Sequence, residues 1–531
     1  MAIKKLGIMS EITFLFFGVL ILAFSVSYSQ DGVLDTTFDE DGKLYLHFNG
    51  YSESKMGTVL VQPDDKIVAA GVLHNHGIDQ QIFIVRYKGD GTPDGSFGAN
   101  GKVETNFTGT PFLRTMILQP DNKIIVAGYI SFNTPNYDTQ SFLARYNADG
   151  TPDADFGEDG LVLNDDFRTS TACLQADGKI VVARYQLTNA FNNSGLIRYK
   201  TDGKVDTGFG SNGVVSTEPV VSGLLVTGVK SDSNGRLTII GQFGTDDAKD
   251  VAIARFGSNG VLDTSFGNYG FRLFDEDITD DCSLLKILSN GRILFYVTSY
   301  HYENSLPIVH RKLIMLLSNG EYDADFGVNG RLDQEETIDA LELQSDGKIL
   351  AGVQYDSGIS HNPVYVGITR YYTDGSLDTA FGVNGTAATS AGDGTVAYTN
   401  SIALQSDGKI IAGATFTSAG GASYPATLLL RYNSRLLGQS EFGLAKKEFV
   451  VYPNPVKEKV NIDFELGQSE VLSIDLYSND GRKVANIMKD KDFQAGFNSQ
   501  QLDFPETVAA GIYFLKVSGE NETKNFRIVK K

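Results

Sequence analysis

Histidine is scarce in this chain, with six residues in 531. His74-Asn-His76 sets two imidazoles at i and i+2, a spacing that can hold a metal from a loop, but no third ligand is identifiable. His301 and His310 flank a loop further on, and His361 falls in another; none has a Glu-x-x-His neighbour. The chain has neither a Gly-x-Ser-x-Gly elbow nor a phosphate loop. Carboxylates are more suggestive. Asp149, Asp153, Asp155 and Asp159 crowd one segment, and Asp275, Asp277, Asp280 and Asp281 another. Calcium suits such oxygen donors, yet the EF-hand spacing and its closing Glu are missing. Paired carboxylates for glycoside hydrolysis are defined by distance in space, and nothing in the sequence singles out a pair. No catalytic residue, metal site or cofactor is therefore assigned, with calcium the one ion left open. Cys173 and Cys282 lie in non-adjacent repeat units and read as free buried thiols.

The elements that must position these residues come from internal repetition. A linker motif, Asp-Gly-x-Leu-Asp-x-x-Phe-Gly-x-x-Gly or a close variant, places its Phe at 38, 97, 156, 209, 266, 326 and 381, a mean spacing of about 57 residues. A second motif, Gln-x-Asp-Gly-Lys-Ile, starts at Gln62, Gln119, Gln175, Gln344 and Gln405, with Asp65 and Asn122 in place of Gly in the first two copies. Asp232-Ser-Asn-Gly-Arg236 and Ser289-Asn-Gly-Arg292 are weaker copies. A third motif, Arg-Tyr, occurs at Arg86, Arg145, Arg198, Arg370 and Arg431, with Arg255-Phe256 as a variant and Met315 standing where the fifth Arg should be. Each unit reads as four strands, the first following the linker, as in 101–107, 112–119, 123–129 and 141–146. Asp-Gly and Asn-Gly supply the positive φ of two-residue hairpins, and no window sustains a 3.6-residue period. The pattern predicts an all-β chain: a seven-bladed β-propeller of four-stranded repeats over 30–433, then a segment 434–446 with a decayed linker copy.

These motifs resemble the delta-60 repeat family of secreted bacterial proteins over residues 31 to about 443. The resemblance implies a repeat architecture and transfers no catalytic residues. Residues 447–531 start a new register at Tyr452-Pro-Asn-Pro and read as a small β-sandwich with Asn479-Asp480-Gly481 as a hairpin turn. With Leu476-Tyr-Ser-Asn-Asp-Gly481, Gly511-Ile-Tyr-Phe-Leu-Lys-Val517 and Lys530-Lys531, this module resembles the type A C-terminal sorting domain of type IX secretion. That implies type IX machinery as a partner, passage across the outer membrane, and removal of the module. Residues 1–29 read as a signal peptide, with Lys4 and Lys5, an apolar run and Ser27-Tyr28-Ser29 as the cleavage site. No later stretch reaches 18 apolar residues, so the mature chain is expected to carry no transmembrane anchor and to be secreted, displayed on the outer cell surface. A net charge of −20 argues against nucleic acid as a partner.

An Asp follows the Arg of Arg-Tyr by eight residues in five units: Arg86/Asp94, Arg145/Asp153, Arg198/Asp206, Arg255/Asp263 and Arg370/Asp378. The fixed offset suggests a structural ion pair at each blade junction. Arg431 lacks such an Asp and Asp35 lacks such an Arg, so a closed ring would make these two partners. The linkers and tight turns share one face of the meander and repeat nearly verbatim; the loops of the other face differ in every unit. On that face His74, His76, Tyr137, Tyr300, His301, Tyr302, Tyr355, His361 and Tyr424 are candidates for ligand contact. The reading is a secreted binding protein, for adhesion or for capture of an extracellular glycan or protein. The alternatives are a propeller hydrolase or lyase acting on polysaccharide, which needs convergent acid–base groups, and a structural envelope component.

Overall fold

The computed structural model describes residues 31–434 apart from 76–79, 133–137, 166, 187–192, 219, 246–247, 275, 277–278, 304–305, 355–364, 391–394 and 419–425. It also describes 450–530 apart from 453–455, 457, 467–468, 479–481, 495, 506–507 and 520–522. The signal segment, the decayed copy near Gln439 and the Asn479-Asp480-Gly481 turn therefore lie outside the described residues. Every regular element among the described residues is a strand, and the chain divides into two compact units, Met1–Leu436 and Leu437–Lys531.

Seven four-stranded antiparallel sheets stand among the described residues of the first unit. From the inner strand outward, the first sheet runs Glu53–Val61, Ile67–His74, Gln80–Tyr87 and Lys102–Asn106. Its middle strands are buried along most of their length while the outermost is not. The reason is face-to-face packing on both sides. Val59, Ile67 and Ala69 meet Ala403, Ile411 and Leu429 of the last sheet, whereas Val68, Ala70, Ile82 and Ile84 meet Met116, Ile124 and Val126 of the second. Strands sandwiched in this way read as continuous apolar runs rather than alternating ones. Asp65 (φ 62°) and Asn122 (φ 63°) hold the left-handed turn position that Gly takes in the other copies, a conformation Asp and Asn tolerate best.

The phase of the repeat differs from the sequence reading. The strand after each linker is the outermost strand of the preceding sheet, as Lys102–Asn106 is for Gln80–Tyr87, and not the first strand of its own unit. The linker folds back on the strand that precedes it: Asp94 N–H donates to Arg86 O at 3.0 Å, Arg86 N–H to Gly101 O at 2.8 Å and Gly101 N–H to Phe97 O at 2.8 Å. So tight a return leaves the following strand no neighbour except the one just left. The offset recruits the N-terminal strand Lys43–Leu46 to complete the last sheet beside Ala426–Tyr432.

Six of the seven linkers are knotted by an Arg. Arg Nε to Asp Oδ2 measures 2.8 Å for Arg86/Asp94, 2.6 Å for Arg145/Asp153, 2.9 Å for Arg198/Asp206, 2.7 Å for Arg255/Asp263 and 2.9 Å for Arg370/Asp378. Arg431 Nε lies 2.9 Å from Asp35 Oδ2. These pairs sit within one linker and its strand; the junction is bridged by the rest of the guanidinium. Its Nη1 donates to a carbonyl of the next linker, Ala148 for Arg86, Thr201 for Arg145, Ser258 for Arg198, Ser318 for Arg255 and Gly89 for Arg431. Arg370 instead reaches Asp31 Oδ2 at 2.5 Å and Ser434 Oγ at 3.1 Å. Each guanidinium also lies over the linker Phe, 4.4–4.8 Å from its centroid.

Two participants were missed in the sequence. The Lys that closes the Gln-x-Asp-Gly-Lys turn is a second cation on the same Asp, as Lys348 is to Asp378 at 2.7 Å and Lys123 to Asp153 at 2.9 Å. In the fifth unit, Arg292 at that turn position pairs with Asp323, so the Asp next to Met315 keeps a cation. The second unit stacks a three-stranded sheet, Val450–Tyr452, Lys459–Leu466 and Gly496–Asp503, on a four-stranded one over Val460, Ile462, Phe464, Leu472, Ile474, Leu476, Leu515 and Val517. This is a small β-sandwich.

The double supply of cations gives an expected outcome. Arg292→Ala leaves the buried Asp323 without a charged partner among the described residues, and should lower stability by about 3 kcal/mol. Lys66→Ala leaves Asp94 with Arg86 and should cost under about 1 kcal/mol. Urea denaturation of the two variants beside the parent measures the contrast.

Candidate functional site

Each inner strand carries an irregularity at nearly the same height. The register skips one residue at Gly57, Arg114, Ser170, Thr227, Asp339 and Asn400, and two, Leu284 and Leu285, in the fifth sheet. A bulge releases one residue from the ladder and re-aims its side chain. Neighbouring inner strands touch there, with Thr115 Oγ1 3.2 Å from Thr171 Oγ1 and Thr58 Oγ1 3.4 Å from Ser401 Oγ. The bulge recurs with constant geometry and changing chemistry, the reverse of the linkers.

Three residues before the closing turn, the inner strands of sheets four to six bring Lys230, Lys286 and Glu342 into one electrostatic group. Lys286 Nζ is 2.7 Å from Glu342 Oε2. Burial, and then Lys286, hold Lys230 below the usual lysine range. Asp339, on the bulge of the sixth sheet, is pushed up to about 6 by burial alone. Asp280 is also raised, first by burial and then by Glu276 and Asp250. Glu276, despite burial, is held low by Lys312 at 2.8 Å and Arg331 at 3.0 Å.

At the ends of the second and third sheets away from the linkers lies a cationic and aromatic cluster. Phe112 stacks on Tyr129 at 4.8 Å and 15°. Arg114 and Arg168 both lie over the Tyr129 ring, 5.3 and 5.2 Å from its centroid, and Arg114 Nη2 donates to Tyr129 Oη at 3.3 Å. One strand away, Arg184 lies 3.8 Å from the centroid of Phe167, and burial lowers its pKa. Repeat-based reading passed over these residues because each occurs in one unit only. The signal available was an Arg within an inner strand where the other units carry small or uncharged residues and one Asp.

Of the candidates named from sequence, His74 ends the strand Ile67–His74, half-buried, its pKa lowered by burial and by Lys55. Tyr300, His301 and Tyr302 do not lie in a loop: they belong to the eleven-residue strand Ile293–Glu303, which pairs with Leu306–Leu316, where His310 also lies. Aromatic residues favour the extended strand, and the hairpin continues through them. Tyr300 is half-buried. His76, Tyr137, Tyr355, His361 and Tyr424 lie outside the described residues. The acidic crowding near Asp149 is local: Asp149 Oδ1 accepts from Thr151 N–H at 2.9 Å and Oγ at 2.7 Å, and Asp153 is bound by Arg145 and Lys123. No group of three His, Cys, Asp or Glu able to hold a metal occurs among the described residues. Cys173 and Cys282 are buried and free, both pushed up to about 12 by burial.

Comparison with known proteins adds two family matches. Residues 62–97, 119–156, 175–209, 233–266, 344–381 and 405–434 match the domain of unknown function DUF5122 beta-propeller, and residues 450–531 match the secretion system C-terminal sorting domain. No curated protein matches the chain. Among solved structures, the chain is similar to the polysaccharide lyase Uly1, at 12% identity over 76% of this chain and 96% of that one, with a TM-score of 0.44. It is also similar to a protein of unknown function from Dyadobacter fermentans, at 10% identity over 74% of this chain and 98% of that one, with a TM-score of 0.39. A Hadza microbial sialidase, Hz136, matches at 10% identity over 72% and 66%, with a TM-score of 0.33.

The raised carboxyl on the sixth bulge has a testable sign. Folding raises the Asp339 pKa from 3.8 to about 6, so the native state binds the proton more tightly and stability falls as pH rises between those values. Asp339→Asn should therefore stabilise the protein at pH 7.5 by about 1–3 kcal/mol and change nothing near pH 3. Denaturation midpoints at the two pH values check this.

Proposed function

We propose, for a chain that carries DUF5122 β-propeller repeats and ends in a secretion-system C-terminal sorting domain, that the propeller is a binding protein working outside the cell. The sorting domain makes the chain a client of type IX secretion and a secreted β-propeller. Beyond export, our reading is display on the outer cell surface once the sorting domain is removed, with capture of an extracellular glycan or protein on the face opposite the linkers.

One observation carries this reading: the two faces spend their charge differently. On the linker face every Arg of the repeat is bound to an Asp and to a backbone or side-chain acceptor of the next linker. Those guanidinium groups are engaged within the fold. At the opposite ends of the second and third sheets, Arg114, Arg168 and Arg184 are held by aromatic rings and by no carboxylate among the described residues. Cations in that state are available to a partner.

A glycan-array and surface-protein binding screen of the full mature chain tests the proposal; ligands are expected. Binding abolished only by substitutions on the linker face would overturn it. Removing residues 450–531 should leave folded protein in the periplasm, read by fractionation; normal display of the truncated chain would contradict the sorting role.

A further inference from the structure

We infer that the cluster of Arg114, Arg168 and Arg184 binds the acidic groups of a polyanionic polysaccharide, with Phe112 stacking on a sugar ring. The inference rests on the binding role proposed above and names its ligand class.

The chain carries a net charge of −20 with 65 acidic residues, yet Arg114, Arg168 and Arg184 have no carboxylate partner among the described residues. The linker arginines all have one. Arg114 and Arg168 instead share the ring of Tyr129, and Arg184 lies over Phe167. A ring beneath a guanidinium fixes its plane while leaving its N–H edge directed outward, the arrangement that suits bidentate binding of an oxyanion.

The donors are also under-used. Among the described residues, Arg168 Nε has no hydrogen-bond partner, and the side-chain hydrogen bond of Arg114 runs to the Tyr129 hydroxyl. Leaving a charged donor unsatisfied is unfavourable, so the Arg168 guanidinium has bonding capacity that the described side chains do not use. Arg184 is partly buried, and its guanidinium keeps its charge there.

Phe112 selects the class of anion. It is 39% exposed, although one face is covered by Tyr129 in a near-parallel stack. A flat apolar surface open to solvent beside anion-binding groups suits the C–H face of a pyranose bearing an acidic substituent. A carboxylate of a uronic acid and a sulfate ester present the same oxyanion to the site, and the probes below separate them.

The test is affinity electrophoresis of the full mature chain against polygalacturonate, dextran sulfate and neutral dextran. Retardation by at least one polyanion and none by dextran is expected, weakening as salt rises from about 50 mM to about 0.5 M. Polygalacturonate alone would identify the carboxylate as the ligand, and dextran sulfate alone the sulfate. Arg114→Gln and Arg168→Gln, made separately, should each weaken retention by about ten-fold at an unchanged melting temperature. Arg168→Lys, which keeps the charge but loses the forked donor, guards against a folding defect and should retain part of the affinity. Phe112→Ala should weaken polymer binding, whereas Lys204→Gln on the linker face should not. Absence of polyanion binding, or binding unchanged in both Gln variants, overturns the inference. If the screen above finds a neutral glycan or a protein as ligand instead, this inference fails while the binding role stands; a chain that binds nothing on that face sinks both.

Discussion

The linker arginine is the contact on which the rest of the molecule depends. Its planar fork meets an Asp through Nε, a carbonyl of the following linker through Nη1, and the face of a Phe beneath. A lysine has one point charge and could satisfy only part of this set. Because the fork spans two linkers, each sheet is tied to its neighbour through buried charge-assisted bonds as well as apolar packing. The linker Phe residues are wholly buried, each worth about 1.5–3 kcal/mol by transfer, so the knot is anchored on both its polar and its apolar side. Where Met315 replaces the Arg, charge is supplied from the adjoining turn by Arg292: the carboxylate must be met, but the source is free to change.

Once the linkers hold the sheets, the other end of each sheet is released from structural duty. That division shows along a single inner strand. Thr110–Leu118 enters with Phe112 and Arg114 near the open end and leaves through Ile117 and Leu118, which pack in the clusters between sheets. The bulge marks the change: beyond it toward the turn the residues are apolar in most units, and at it they are Gly, Arg, Ser, Thr, Asp or Asn in six sheets and Leu284 and Leu285 in the fifth.

Much of the ring was legible because it is repeated. The eight-residue offset between Arg and Asp is a distance along the chain that survives as a contact, since the linker folds straight back on its strand. The phase of the strands was not legible, because Gly101–Phe107 alternates in the same way whichever sheet it joins; only the return bonds of the linker decide. The strand Gly496–Asp503 was missed for another reason: Asn498-Ser-Gln-Gln501 offers little hydrophobic signal, and the strand exists by pairing with Lys459–Leu466. The Tyr300-His-Tyr302 segment was read as a loop from its polarity, although its residue types favour strand. The arginine cluster escaped because repetition was the guide, and a residue used once is invisible to it.

The pairing of Lys43–Leu46 with Ala426–Tyr432 has a kinetic consequence. These strands are separated by nearly the whole ring, so this is the contact of longest sequence separation in the sheet system, and its loop closure comes late in folding. Until it forms, the strand Ala426–Tyr432 presents an unpaired edge, a template for association with other chains. The chain is thus most vulnerable to self-association after its last sheet has been made and before its first strand has returned, and the N-terminal segment acts as the latch that ends this interval. Asp31 and Asp35 hold that latch through Arg370 and Arg431, placing two of the six arginine knots at the one seam that cannot close locally.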